Sequence, residues 1–234
     1  MTPPDVFMTA KRLQMLQRVL DQRQPDLTVA MAGVHKEHNV SAVLRSCDAV
    51  GVWEAHSLGQ EGRLTIRRTA AGGVQRRVGL RQHADIAEGC AFLKQQGFAL
   101  YAAHWSERAV DFRSVDYTRP VAILLGRELE GMPREAAVAA DSHITIPMLG
   151  LVESLNVSVA AAVILYEAQR QREAAGLYRR RRLDDMTWRR TLFEWIQPRI
   201  ARYCREQGLP YPELDDDGHV VRASWERITA RAAG

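Results

Sequence analysis

Apolar residues recur with two different periods along this 234-residue chain, and the alternation between them predicts its elements. Met8, Leu13, Leu16, Val19 and Leu20 recur at helical spacing and predict a helix or two over 5–26, with Lys11, Arg12, Arg18 and Arg23 interleaved and Pro25 marking the end. The run from Leu27 to Val34 then reads as a short buried strand. A helix over 39–50 follows, with Val40, Val43, Leu44 and Cys47 on one side and Asn39 as its cap. Strands are predicted over 52–58, 78–82, 98–103, 121–125 and 143–146, and helices over 85–96 and 133–140. Strands alternating with helices call for a parallel sheet covered on both faces, an α/β fold.

The longest predicted helix, 155–171, is apolar or small almost all round in its first half, Leu155 to Leu165. Such a helix is buried on more than one side. In a chain this size one side fits the domain core and the other a subunit interface, so a homodimer is expected. After Gly176 arginines, Trp188, Trp195 and helix formers run to Gln207, where Gly208-Leu209-Pro210-Tyr211-Pro212 breaks the pattern. Asp215-Asp216-Asp217-Gly218 reads as an exposed turn. The expected organisation is a helical extension over 1–26, an α/β domain over 27–175 and a helical, arginine-rich extension over 176–234.

Composition adds a partner class. The net charge is +4, and with only Lys11, Lys36 and Lys94 as lysines, 29 of the 32 basic residues are arginine. Arginine presents a planar fork of donors that fits phosphate oxygens and stacks on bases. Residues 169–205 hold eleven arginines against four acids, and 60–81 hold six against one. Two basic blocks around a balanced middle favour a polyanion. No apolar run approaches the ~20 residues that a membrane span needs, and the N-terminus lacks a secretory pattern. Cys47, Cys90 and Cys204 are widely spaced and odd in number, which fits free thiols in a reducing, cytoplasmic setting and no metal site.

No Gly-x-Gly-x-x-Gly follows the first strand and no Walker lysine is present, so dinucleotide and nucleotide-phosphate cradles find no support. Three other segments stand out: Asn39 to Arg45 on a helix; Gly126-Arg127-Glu128-Leu129-Glu130-Gly131 after an apolar strand; and Ile146-Pro147-Met148 through Ser154-Leu155-Asn156-Val157-Ser158 before the buried helix. Taken singly, each fits a structural role: Arg45 as a solvated arginine, Ser154 as a helix cap with Asn156 in the first turn. In this order they resemble the three motifs of the SpoU family of SPOUT methyltransferases. Arg23 to Val29, Ala109 to Arg113, Asp116 to Pro120 and Leu165 to Arg172 further resemble the TrmH branch, over roughly residues 20–175.

The resemblance implies a C-terminal deep trefoil knot, about residues 121–172, a topology that composition never reveals. It implies S-adenosylmethionine as cofactor, held by Ala103, Gly126, Ile146 and Leu155, and a transfer RNA substrate methylated on the ribose of guanosine 18. Arg45, Asn39, Ser154, Asn156 and Glu128 would form the catalytic site, with Asn39 and Asn156 holding Arg45 and the cofactor tail. Lys11, Arg12, Arg23, His38, Arg170, Arg172, Arg179 and Arg180 would meet RNA. The same motifs also fit a SpoU enzyme for another tRNA position or for ribosomal RNA, or a non-catalytic RNA-binding protein on the same fold.

Overall fold

The computed structural model describes residues 8–59, 77–128 and 130–232. Most of the basic block over 60–81, and the first residues of the predicted N-terminal helix, lie outside the described residues. The chain divides into two compact units, residues 24–180 and residues 1–23 with 181–234.

The larger unit is a seven-stranded, wholly parallel sheet in the order β3-β2-β1-β6-β4-β7-β5. Its strands are β1 (Leu27–Ala32), β2 (Glu54–Leu58), β3 (Gly79–His83), β4 (Ala99–Ala103), β5 (Val110–Asp111), β6 (Val121–Leu125) and β7 (Ser142–Thr145). Among the described residues four α-helices pack on it, α2 (Glu37–Ala49) and α5 (Val157–Ala174) on one face and α3 (Ile86–Gln95) and α4 (Arg134–Ala139) on the other, and a single 3-10 turn lies at Phe112–Ser114. The central strands are buried on both sides, and their alternation sorts residue size by face. Leu27, Val29, Met31, Val121, Ile123 and Leu125 join the core under α2 and α5; the smaller Ala30, Ala32, Ala102 and Ala122 join Leu100 and Leu124 under α3 and α4.

The smaller unit comprises α1 (Ala10–Asp21), α6 (Asp185–Ile196), α7 (Pro198–Glu206) and α8 (Arg222–Ala232). Thr9 caps α1 and Asp184 caps α6, each accepting a backbone N–H from the first turn. Phe193, Ile200, Ala201, Cys204, Val220 and Trp225 form its separate core. The acidic turn closes a bridge between Leu214 and Val220.

The sequence pattern misplaced two details. Helix α2 starts at Glu37, with Lys36 in the cap position and Asn39 inside the first turn, so Asn39 is not the cap. Strand β5 was not expected at all; two residues, one of them Asp111, leave no apolar run to detect. No described helix is long and apolar enough to cross a membrane.

Two expected RNA-binding arginines are instead structural. Arg172 is fully buried. Its guanidinium donates to the carbonyls of Tyr117, Asp26 and Arg119, to Gln24 Oε1 at 3.0 Å and to Asp26 Oδ1 at 2.7 Å. It ties the end of α5 to the entrances of β1 and β6, and no phosphate can reach it. Arg23 is also fully buried, with its guanidinium 5.6 Å from the ring centre of Trp195. Both arginines therefore leave the expected RNA-contacting set.

Truncating Arg172 to alanine strands Asp26 and several carbonyls, at a cost of about 3–5 kcal/mol; urea unfolding of Arg172→Ala near wild-type stability would contradict this role. A second prediction concerns His56 and His83, buried side by side on β2 and β3 with Nδ1 and Nε2 3.0 Å apart. Burial, then His83, then Arg81 lower the His56 pKa to about 4. The unfolded chain therefore binds a proton near pH 6.5 that the fold resists, so stability falls as pH drops from 6.5 toward 4. His56→Gln is expected to flatten that part of the stability profile, and an unchanged profile would contradict the assignment.

Candidate active site

All seven strands run parallel, so the chain leaves β1, β4, β6 and β7 at one edge of the sheet, where open α/β sheets place their ligands. Three segments meet there. From β1 the chain turns through Gly33, whose φ is +74° and whose missing side chain leaves room for Arg127: a Cβ would lie 2.3 Å from its Nε. From β6 it makes a tight turn in which Arg127 and Gly131 exchange backbone hydrogen bonds of 2.8 and 3.1 Å. Gly126 is required at that turn, since a Cβ would stand 2.6 Å from the Gly131 carbonyl oxygen. From β7 the chain runs through 146–156 into α5.

Glu128 joins the three. Its Oε1 accepts from the side-chain amides of Asn39 on α2 and Asn156 before α5, the latter at 2.9 Å, and its Oε2 accepts from Lys36. Asn156 Nδ2 also reaches Asn39 Oδ1 at 3.4 Å. On its other side Asn156 Oδ1 accepts from the backbone N–H and the hydroxyl of Ser158, at 2.8 and 2.6 Å. Asn156 is thus the N-cap of α5, and Ser154, exposed two residues earlier, is not. Lys36 first, then Asn39, holds the Glu128 carboxyl below the usual carboxylate range, so it is ionised at neutral pH.

This geometry corrects the expected wiring. The amides of Asn39 and Asn156 are spent on Glu128 and on each other rather than on Arg45. Arg45 lies six residues along α2 from Asn39, about 9 Å down the helix axis, on the exposed face. Among the described residues no hydrogen bond or ion pair engages it, which leaves its five donors available to an incoming group. Lys36 was missed by the sequence reading; only its place beside His38 and Asn39 hinted at it. A cavity of roughly 110 Å³ lined by Gly33, Val34, His35, Lys36, Asn39, Arg127, Glu128 and Glu130 borders the network. It has room for a few waters; a cavity of roughly 490 Å³ on the other side of Arg127 and Glu130 is lined by Gly59, Ile86 and Met132 among others.

The four residues expected around a cofactor fall at the same edge. Ala103 ends β4, Gly126 follows β6, Ile146 follows β7, and Leu155 precedes the α5 cap. Ala103, Ile146 and Leu155 are half-buried, while Leu149, Leu151 and Val152 of the 146–156 loop are exposed. Uncovered apolar side chains next to unpaired loop backbone suit an adenine and a sulfonium, which need apolar walls and backbone hydrogen bonds. Of the expected RNA-contacting residues, Lys11 and Arg12 are exposed on α1, and His38, Arg170, Arg179 and Arg180 are exposed in the larger unit; Arg170 forks onto Glu167 at 2.7 and 2.9 Å.

Comparison with known proteins adds lineage to geometry. The chain matches the family model described as SpoU rRNA methylase over residues 26–166, and a SpoU rRNA methylase C-terminal model over 170–223. A tRNA (guanosine(18)-2′-O)-methyltransferase of Escherichia coli K12 is 46% identical over 230 residues, 97% of this chain and 100% of that protein. The crystal structure of the Aquifex aeolicus TrmH/SpoU tRNA modifying enzyme superposes with a TM-score of 0.75 at 40% identity, covering 81% of this chain and 97% of that one. An AdoMet-bound rRNA methyltransferase from Sinorhizobium meliloti gives a TM-score of 0.58 at 27% identity, covering 66% and 59%.

The contact between Asn156 and Glu128 has its own test. Asn156→Asp keeps an equally good cap but sets a second carboxylate against Glu128. The pair resists joint ionisation, so folded-state pKa values rise and stability is lost as pH rises. The urea midpoint of Asn156→Asp is expected to trail wild type more at pH 7.5 than at pH 5; an equal deficit at both would show that the contact does not form.

Proposed function

This chain belongs to the SpoU rRNA methylase family, and on that premise we propose that it transfers the methyl group of S-adenosylmethionine to the ribose 2′-hydroxyl of guanosine 18 in the D-loop of transfer RNA. The observation that carries the reading is the junction of Asn39, Glu128 and Asn156 at one sheet edge, with an exposed arginine, Arg45, on the same helix as Asn39. The relative that the chain matches end to end has this activity in its name.

When bound, the cofactor supplies an already activated methyl group. What remains for the protein is to position the hydroxyl and favour loss of its proton. A guanidinium stays charged at any pH up to ~12, so Arg45 serves best as an electrostatic partner, binding the adjoining phosphate and stabilising the developing alkoxide. Glu128 and the two asparagines keep the three segments in register. Ser154, exposed in the loop before the cap, has its hydroxyl available to substrate or cofactor.

The knot belongs to the same reading. Strand β7 enters the sheet between β4 and β5, whose connection, 104–109, spans its far end. The chain leaving β7 for α5 must therefore pass that connection, which supports threading. The homodimer is supported by a second stripe on α5, with Val159, Tyr166 and Arg170 exposed opposite the buried Val157, Ala161, Ile164 and Ala168. The exposed Lys11, Arg12, His38, Arg170, Arg179 and Arg180 supply charge for tRNA phosphates. Three buried free thiols fit a cytoplasmic enzyme.

The test is transfer of labelled methyl from S-adenosylmethionine to unmodified tRNA and, in parallel, to unmodified ribosomal RNA, with nucleoside mapping of the product. Wild type is expected to yield 2′-O-methylguanosine at position 18. Arg45→Ala is expected to lose at least about a hundredfold in turnover, the size of an electrostatic stabilising group, with folding and cofactor affinity retained. Near-normal turnover of Arg45→Ala would remove that residue from the mechanism, and label in ribosomal RNA alone would favour the other SpoU substrate class.

A further inference from the structure

Trp105 is the most conspicuous side chain outside the network: 77% exposed, on the 104–109 connection between β4 and β5. An exposed aromatic on a slack loop needs no explanation, but this loop is pinned on both sides of it. His104 N–H donates to the Ile144 carbonyl at 3.1 Å, and Ala109 N–H to the Ser106 carbonyl at 2.9 Å. His143 on β7 holds the rest. His143 Nε2 lies 2.7 Å from Arg108 Nη2 and 2.9 Å from the Ala137 carbonyl oxygen, and its Nδ1 lies 2.8 Å from Ser106 Oγ. These contacts tie Ser106 and Arg108, on either side of Glu107, to one ring of β7. Arg108 completes the lock on the Ala137 carbonyl at 3.2 Å.

The anchored tryptophan lies at the same sheet edge as the Glu128 network. Ala102 on β4 is the register partner of Leu124 on β6, neighbouring strands being about 4.8 Å apart. Trp105 lies three residues beyond that pair and Glu128 four, at the same edge of the sheet. The sequence neighbours of Trp105 on this loop are polar: His104, Ser106, Glu107 and Arg108. A lone aromatic face in a polar rim matches a flat ring with polar edges. It does not match an extended apolar surface, for which the contiguous Leu149, Leu151 and Val152 are suited.

We propose that Trp105, held rigid by the Ser106 and Arg108 contacts to His143, is a stacking platform for a nucleobase of the RNA substrate. The inference rests on the reading of the chain as a tRNA methyltransferase and extends it to a specific RNA contact. Base stacking on an aromatic side chain is sequence-tolerant and carries no charge, so its loss weakens RNA binding without altering the salt slope.

The experiment uses full-length wild type, Trp105→Ala and Trp105→Phe. Binding of unmodified tRNA is followed by fluorescence anisotropy over a range of salt, S-adenosylmethionine binding by calorimetry, and mass by light scattering. Trp105→Ala is expected to bind tRNA roughly five- to a hundredfold more weakly, with unchanged salt slope, cofactor affinity and mass. Trp105→Phe, which keeps a ring and guards against a folding defect, is expected to recover most of the affinity. Unchanged tRNA binding by Trp105→Ala overturns the proposal. So does a loss of cofactor affinity with tRNA binding intact, which would place the ring over the cofactor, or a change in mass, which would place it in a protein interface. A wild type that binds tRNA through Trp105 yet methylates none would instead sink the methyltransferase reading and leave the contact standing.

Discussion

A single carboxylate holds the catalytic edge of this molecule together. Glu128 follows the central strand β6 by three residues and accepts from Asn39 on one side and Asn156 on the other, with Lys36 on its second oxygen. Those groups come from parts of the chain 89 and 28 residues away. A carboxylate offers about four lone-pair sites, enough to serve all three donors at once, and no neutral side chain of that length could. Because Asn156 caps α5 and Asn39 sits in the first turn of α2, the same contact fixes where both helices begin. It also keeps those amides from Arg45, which is exposed on α2.

The opposite end of the sheet carries the complementary clamp. Arg172 buries its guanidinium among Gln24, Asp26, Tyr117 and Arg119 and so fastens the last turn of α5 to the starts of β1 and β6. Helix α5 is thereby held at both ends, by a carboxylate where it starts and by an arginine where it finishes. Between them the loops at 104–109 and 146–156 extend over the edge of the sheet, and the side chains that face solvent there, Trp105 and Leu149 to Val152, are those with no partner in the core.

The sheet was largely legible from the sequence because its strands are buried on both faces. Val121–Leu125 has five apolar residues in a row, and its boundaries were read as they stand. Strand β5 was not legible, since Val110-Asp111 owes its pairing to β7 rather than to any pattern of its own. The residues of the site were legible as motifs, but not their bonds: nothing in the spacing says that Asn39 and Asn156 meet a shared acceptor, because that depends on how three loops fold back. Arg172 was misread because arginine is seldom fully buried. One signal was available. It continues the stripe Val157, Ala161, Ile164 and Ala168 at helical spacing, the inward face of α5. Arg23 offered no such cue, for its partner Trp195 is 172 residues away in sequence.

We propose that this edge methylates one ribose hydroxyl of tRNA. The most direct measurement is methyl transfer to a synthetic tRNA carrying 2′-deoxyguanosine at position 18 alone, compared with its all-ribose twin. The expected result is full transfer to the twin and none to the deoxy substrate, which lacks only the accepting oxygen. Equal transfer to both would contradict the claim.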